Sequence, residues 1–252
     1  MKTAADLLKQ DNPPLYYFGL LCLVGAGLCL ALTQLTHVPV SGTNAWYKPF
    51  KFLLSTTLFV WSMGWYMQHL DHPVAVRWYS WGVIALLGFE NGYIFLQAAR
   101  GQQSHFNVST PFYASMWSLV AVAAVVVSIW TAYIGALFFQ RLPGLSPTYL
   151  WGIRMGILLF VLFSMEGLAM GARLAHTMGG PDGSPGLPVL NWSRQHGDLR
   201  IAHFLGMHAL QVIPLFAYYG LSSVASVIGF SALYGLSSLW LFLQALQGKP
   251  LF

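Results

Sequence analysis

Several stretches of this sequence run for about 20 residues with almost no charge, and such runs restrict a chain to very few folds. An apolar α-helix of that length crosses the roughly 30 Å hydrocarbon layer of a bilayer. Only 8% of the 252 residues are charged and 56% are hydrophobic. A soluble domain carries about 25% charged residues, so this chain could not cover a water-exposed surface with charge. The sequence therefore predicts an all-α polytopic membrane protein.

The apolar runs predict one domain, residues 1–252, built as a bundle of seven transmembrane helices. The predicted spans are residues 15–35, 50–68, 78–99, 112–138, 149–174, 200–219 and 221–245. Residues 1–14 carry both signs of charge before a Pro-Pro pair, so we expect a short segment on the membrane surface. Residues 175–199 are rich in glycine and proline, and this composition indicates a long loop.

Seven spans would place nearly all the unusual polar segments on one face of the membrane. That face would hold the loops near 36–49, 100–111 and 175–199, together with the C-terminus. The net charge of +5 comes from cations near the ends of apolar runs, where they contact lipid headgroups, so we expect no nucleic-acid binding. The distribution of these cations does not fix the orientation, and we expect the N-terminus to lie in the cytoplasm.

The sequence contains two glutamates, Glu90 and Glu166, and both lie well inside predicted spans. A charged group there costs at least about 2.5 kcal/mol and usually faces a cavity or a partner. Counted from the polar ends of their spans, Glu90, Glu166 and His208 share one depth of roughly 12–15 Å. The sequence therefore predicts that ionisable side chains from three helices form one site within the membrane.

Cations, histidines and amides surround these three residues in the predicted arrangement. The side chains expected to bind a cofactor or ligand are Lys51, Arg100, Arg173, Arg200, His176, His203, Gln97 and Gln211. His203 and His208 are five residues apart, so on one helix they point about 140° from each other and cannot both bind one small ion. Both could instead donate hydrogen bonds between helices, and the glutamates could form structural ion pairs. We expect His105 to cap its loop rather than to bind a ligand.

The first functional hypothesis is a membrane-embedded metal or haem site for redox chemistry. Glu90, Glu166 and His208 would be the ligands and catalytic groups, since carboxylate and imidazole suit iron, manganese and zinc. The two glutamines would orient those ligands through hydrogen bonds. In the haem b form, His203 or His208 would be an axial ligand with His176, His105 or Met165 opposite, and the cations would bind the propionates.

Two other hypotheses fit the same residues. In a proton-coupled transporter, Glu90 and Glu166 would carry protons and the cations would attract an anionic or lipid-like small molecule. A homo-oligomer would then supply the symmetry that alternating access requires. In a metal-dependent membrane hydrolase, His208 or a glutamate would activate water while the cations hold a lipid phosphate. The sequence leaves open whether the protein is an enzyme.

The segments QAARGQQSHFN (97–107) and GDLRIAHFLGMHALQVIP (197–214) resemble an uncharacterised family of small bacterial multi-span membrane proteins. The resemblance covers these two segments and the WYKPFKF stretch over residues 46–52. It implies a bacterial origin, and we expect the protein to lie in the bacterial inner membrane. It implies no activity and no functional residue.

Overall fold

The computed structural model describes residues 3–140 and 144–251, and these residues are mostly helical. The helices are α1 (Ala4–Asp11), α2 (Pro13–Leu35), α3 (Tyr47–Met67), α4 (Pro73–Ala99), α5 (Pro111–Leu137), α6 (Pro147–Ser164), α7 (Glu166–Arg173), α8 (Leu199–Tyr219) and α9 (Val224–Leu246). Two antiparallel pairs of short strands lie in loops: β1 (Pro39–Val40) with β2 (Thr43–Asn44), and β3 (Thr177–Met178) with β4 (Gly197–Asp198). The chain forms two compact units, Met1–Val127 and Ser128–Phe252.

Six membrane-spanning segments can be recognised by length and apolarity among the described residues. They are Pro13–Leu35, Pro73–Ala99, Pro111–Leu137, Pro147–Arg173, Leu199–Tyr219 and Val224–Leu246. The predicted span 50–68 is helical as part of α3, but α3 is not among the six, so the count of seven spans is not confirmed. Its first two turns carry Lys48 and Lys51, and Thr56 and Thr57 follow in its middle, so α3 is less apolar than the six. The six helices indicate an integral membrane protein.

Proline and capping residues fix where these helices begin. Proline occupies the first turn of α2, α4, α5 and α6, where its missing N–H removes no helical hydrogen bond. Asn12 Oδ1 accepts a hydrogen bond from Leu15 N at 3.3 Å at the start of α2. Ser223 Oγ accepts one from Ser226 N at 3.1 Å at the start of α9. These caps satisfy backbone donors that the first turn leaves without a partner.

In the first unit, α2 runs parallel to α4 and packs against α3. Asn12 Nδ2 donates to Ser80 Oγ at 2.9 Å, and both residues are buried. Further along the same two helices, Phe18 lies beside Gly88. Thr57 Oγ1 on α3 donates to a backbone carbonyl of α2 at 3.1 Å. Such interhelical hydrogen bonds satisfy polar groups where no bulk water is available.

In the second unit, small residues let α6 and α8 approach closely. Gly206 on α8 faces the ring of Phe163, and Gly156 on α6 faces Pro214. A Cβ atom at Gly206 would overlap the Phe163 ring. Leu159, Phe163 and Ile213 are buried in the apolar core between these helices.

The predicted span 149–174 is not one continuous helix. α6 ends at Ser164 and α7 begins at Glu166. Phe163 O lies 2.9 Å from His203 Nδ1. In the next turn Leu168 N donates to Met165 O at 3.0 Å, a hydrogen bond that spans three residues and not the four of an α-helix. A side chain that inserts into the helical hydrogen-bond ladder interrupts it. His203 from α8 therefore marks this break, which the sequence pattern did not predict.

Candidate functional site

A buried carboxylate and an imidazole come together in the first unit. Glu90 on α4 is 7% exposed, and its Oε1 lies 3.8 Å from Nε2 of His105. Glu90 precedes the last residue of α4 by nine positions, which is about 13 Å along the helix. The loop after α4 must therefore turn back along the helix to bring His105 to this position. The sequence favours a loop contact for His105. In the structure His105 lies near Ser104 Oγ in its loop and also approaches the Glu90 carboxylate.

Aromatic rings from three segments surround the imidazole. The ring centroid of His105 lies 5.4 Å from that of Phe52 on α3 and 5.1 Å from that of Trp117 on α5. Phe106 contacts both His105 and Trp117. The imidazole that approaches the Glu90 carboxylate is therefore enclosed by three aromatic rings.

The backbone at the tip of this loop adopts an unusual conformation. Phe106 has φ of 62°, in the left-handed region that bulky residues rarely occupy. Such a conformation costs about 1–3 kcal/mol and persists only where its surroundings impose it. Packing of Phe106 against Trp117, with centroids 4.9 Å apart, holds it in place and fixes the adjacent His105.

A cation from the start of α3 acts on the same carboxylate. Lys48 is the positive charge that influences Glu90 electrostatically, and its Nζ lies 5.9 Å from the ring centroid of Phe52. Lys51, which the sequence had placed at the rim of a ligand site, lies one turn further along α3 and is half-buried. In the first unit, Phe52 therefore lies beside both the imidazole that approaches Glu90 and the ammonium group of Lys48.

Buried oxygens without partners follow Glu90 along α4. Neither Tyr93 Oη nor Gln97 Oε1 has a hydrogen-bond partner among the described residues. Gln97 Nε2 donates to Gln103 O at 3.1 Å in the loop, which fixes the orientation of the Gln97 amide. Gln97 was expected to orient a ligand of the site, and its Nε2 instead holds the returning loop. Arg100, at the end of α4, is exposed.

In the second unit, Glu166 lies directly after the helix break. Its Oε2 is buried and has no hydrogen-bond partner among the described residues. The histidine near this turn is His203, because a Cβ atom at Gly167 would lie 3.7 Å from His203 Cε1. Since a carbonyl oxygen only accepts, Nδ1 of His203 carries the hydrogen shared with Phe163 O. The Nε2 atom of a neutral His203 is then an acceptor.

His208 occupies a different face of α8. Its Nδ1 lies 3.1 Å from Gln211 Oε1, so Nδ1 donates and the glutamine accepts. Phe204 packs against its ring with centroids 4.3 Å apart. Glu90 belongs to the first unit, whereas Glu166 and His208 belong to the second. The convergence of these three residues stays a prediction.

Two residues predicted to bind a ligand have structural partners in the loop between α7 and α8. Arg200 donates to the Asp198 carboxylate through Nε at 2.8 Å and Nη2 at 2.5 Å, and to Asn191 O through Nη2 at 2.5 Å. His176 Nδ1 lies 2.9 Å from Asp182 Oδ1. Arg173 is exposed in the last turn of α7, where a cation complements the helix dipole.

The charged carboxylate of Asp182 stabilises this loop through hydrogen bonds. Its carboxylate accepts backbone hydrogen bonds from His176 N and Thr177 N, at 3.3 and 2.8 Å. Burial raises the pKa of Asp182. The hydrogen bond and charge of His176 and the hydrogen bonds from Thr177 lower the pKa by more than burial raises it. The pKa of Asp182 therefore lies below its ordinary value. Burial lowers the pKa of His176 despite this partner.

Within either unit, the described residues bring together no group of three His, Cys, Asp or Glu side chains that could hold a metal ion. Beyond a loop contact, the sequence offered His105 only as one possible axial ligand of a haem and did not predict its approach to Glu90. The signal for it was weak, since a histidine flanked by phenylalanine in a polar loop is as typical of an interfacial residue as of a site.

Comparisons with known proteins assign no relative to this arrangement. No protein-family model matches the chain, and neither a curated protein nor a solved structure matches it. The class defined by fold and site is thus an integral helical membrane protein with a buried carboxylate–imidazole pair.

Proposed function

We propose that this chain is a proton-coupled membrane transporter whose working group is the Glu90–His105 pair. The observation that carries the proposal is the 3.8 Å separation of Glu90 Oε1 and His105 Nε2 inside an aromatic enclosure. An ionisable group in a membrane-spanning helix is expensive to keep, and such groups mark proton and substrate pathways.

The proposed step is one proton transfer. The His105 Nε2–H bond breaks, an O–H bond forms on Glu90 Oε1, and the ion pair becomes two neutral groups. Direct transfer needs the 3.8 Å gap to close to about 2.8 Å, a movement of the loop rather than of a helix. This transfer leaves the net charge of the pair unchanged. Uptake of a further proton by the neutral pair gives it one net positive charge, which together with Lys48 favours binding of an anionic or lipid-like small molecule.

Proton movement itself tests this proposal. The purified protein is reconstituted into liposomes that contain a pH-sensitive dye, and a potassium diffusion potential drives protons inward. We expect Glu90→Gln to reduce the flux to that of empty liposomes and His105→Gln to lower it at least about tenfold. His37→Gln and Asp71→Asn, at exposed positions, are the matched controls. A wild-type flux equal to that of empty liposomes overturns the proposal.

A redox metal or haem b site is the second candidate. It is favoured by the pairing of a carboxylate with an imidazole, which suits iron, manganese or zinc. In this form Glu90 and His105 supply two ligands, and the expected roles of Glu166 and His208 are retained. Elemental analysis and absorption spectra of protein grown with added metals test it. A folded, colourless protein without metal overturns this candidate and leaves the proton-coupled function standing.

We further propose seven crossings, an N-terminus in the cytoplasm and the bacterial inner membrane as the location. The 21 residues of α3 extend about 31 Å, enough for a crossing. If α3 crosses, His37→Cys and Asp71→Cys react with an impermeant maleimide from opposite sides; if it does not, they react from the same side. The natural Cys22 and Cys29, both buried, are replaced by serine for this test. A homo-oligomer is part of the proposed transporter.

A further inference from the structure

Three buried polar residues lie on one face of α4. Glu90, Tyr93 and Gln97 are separated by three and four residues, which places them within about 60° of one another around the helix. Their exposed fractions are 7%, 6% and 1%. From Glu90 to Gln97 the helix rises about 10 Å. A continuous polar stripe therefore runs from the middle of α4 toward its C-terminal end.

The stripe contains oxygens that need hydrogen-bond donors. Gln97 Nε2 is occupied by Gln103 O, so the amide oxygen of Gln97 is the atom without a partner among the described residues. Tyr93 Oη has none either. Leaving a buried polar atom unsatisfied costs about 1–3 kcal/mol, and in native proteins water or an ion usually satisfies it. Both atoms therefore point to an occupant that donates hydrogen bonds.

Geometry favours water over a single ion. Helical side chains lean toward the N-terminus of their helix, so those of Glu90 and Gln97 lean the same way and do not converge. A cation with ligands at about 2.4 Å cannot contact oxygens whose helix positions are about 10 Å apart. Several water molecules can, because each donates two hydrogen bonds and accepts others.

We propose that a chain of water molecules runs along this face of α4, from the exposed loop at Gln103 to the Glu90 carboxylate. It rests on the proposed function, in which Glu90 takes up a proton. Gln97 is a positioning residue, since its amide oxygen only accepts and orients the first water. Tyr93 is the relay, since its hydroxyl accepts from one water and donates to the next.

The charges around the chain agree with this direction. Arg100 is the cation that acts electrostatically on Tyr93. A water beside the Arg100 guanidinium turns its oxygen toward that cation and its hydrogens toward an acceptor such as Gln97 Oε1. At each step one O–H bond breaks as another forms, so one proton enters at the loop and one reaches the Glu90–His105 pair, where it replaces a proton that the pair has passed on. No electron moves.

Hydroxyl-radical footprinting tests the water chain independently of transport. X-ray radiolysis produces radicals from ordered internal water, which modify adjacent side chains. We expect Tyr93 to be modified although it is buried, whereas Tyr79, a fully buried tyrosine on the same helix, is not. Equal inertness of Tyr93 and Tyr79 overturns the water chain, whatever the proton flux.

Liposome flux tests the relay. Tyr93→Phe keeps the ring and removes the hydroxyl, so we expect proton flux to fall about tenfold, the kinetic equivalent of one lost hydrogen bond. Tyr79→Phe makes the same change elsewhere on α4 and is expected to leave the flux unchanged. Unchanged flux in Tyr93→Phe overturns the relay. If Tyr93 is modified by radicals but wild-type protein passes no protons, the proposed function fails and the water chain stands.

Discussion

The Asp198 carboxylate is the point at which the loop between α7 and α8 is most sensitive to change. It is 2% exposed and accepts from Ser193 N at 2.8 Å, from Arg200 N at 3.1 Å, and from two guanidinium nitrogens of Arg200. It also caps the first turn of α8. Asp198→Asn removes the charge and keeps the size and one acceptor oxygen.

The cost of this substitution follows from the bonds it weakens. A hydrogen bond to a charged group contributes about 1.5–3 kcal/mol, and breaking a buried ion pair costs about 3–5 kcal/mol. Because Asn keeps one acceptor and the Arg200 side chain is 23% exposed, we expect the loop to be destabilised by an amount at the lower end of these ranges, about 2–3 kcal/mol. Each 1.4 kcal/mol is a factor of about ten, so the loop should open roughly 30- to 150-fold more often.

Hydrogen exchange measured by mass spectrometry reports such local opening. We expect faster deuterium uptake at residues 176–199 in Asp198→Asn and in Arg200→Gln. Asp71→Asn and Arg194→Gln remove the same charges at exposed positions and should leave that uptake unchanged. Uptake in Arg200→Gln equal to that in Arg194→Gln would refute the structural role of Arg200 and return it to the ligand-binding role expected from sequence.

Two further outcomes are expected. Since the folded pKa of Asp182 lies below its unfolded value of about 3.9, its contribution to the loop is complete above that pH and is lost as pH falls below it. The protection of the loop against exchange, corrected for the slower intrinsic exchange of amides in acid, should therefore fall as the pH drops, whereas in Asp182→Asn it should be low at neutral pH and lack this acid step. Gly206→Ala forces a methyl group against Phe163 and should destabilise the protein by about 1–3 kcal/mol, seen as a lower midpoint of thermal unfolding in detergent. Gly92→Ala, with no atom within 4 Å of the added Cβ, is its control and should raise the midpoint slightly or leave it unchanged.

The positions of the helices could be predicted because the residues that determine them lie within or beside each helix. The predicted span 15–35 ends with α2 at Leu35, and the predicted span 200–219 differs from α8 by one residue. Apolar run length, prolines and caps decide these limits within a few residues of chain. The predicted span 149–174 agrees with the segment Pro147–Arg173. Its interruption at Met165 was not predicted, because it is marked by His203, which lies 40 positions after Phe163.

The sequence identified those candidate site residues whose charge is energetically costly to bury. Burying a charge is expensive in any fold, so Glu90 and Glu166 could be singled out without knowing their neighbours. The ligand-binding role of Arg200 stays a prediction, and its contact with Asp198 was not predicted for the opposite reason. Its partner Asp198 lies two residues away, but only the folded loop directs both side chains at each other.

The sequence by itself determined that this chain is helical and suited to a bilayer, because apolar length and scarce charge act on each segment separately. Only the tertiary structure decided which polar groups meet. It brought His105 back along α4 to Glu90, and it left Tyr93 and Gln97 with buried oxygens on the same face. Pairing of this kind depends on distances between residues that are not neighbours in the chain, and no local pattern encodes those distances.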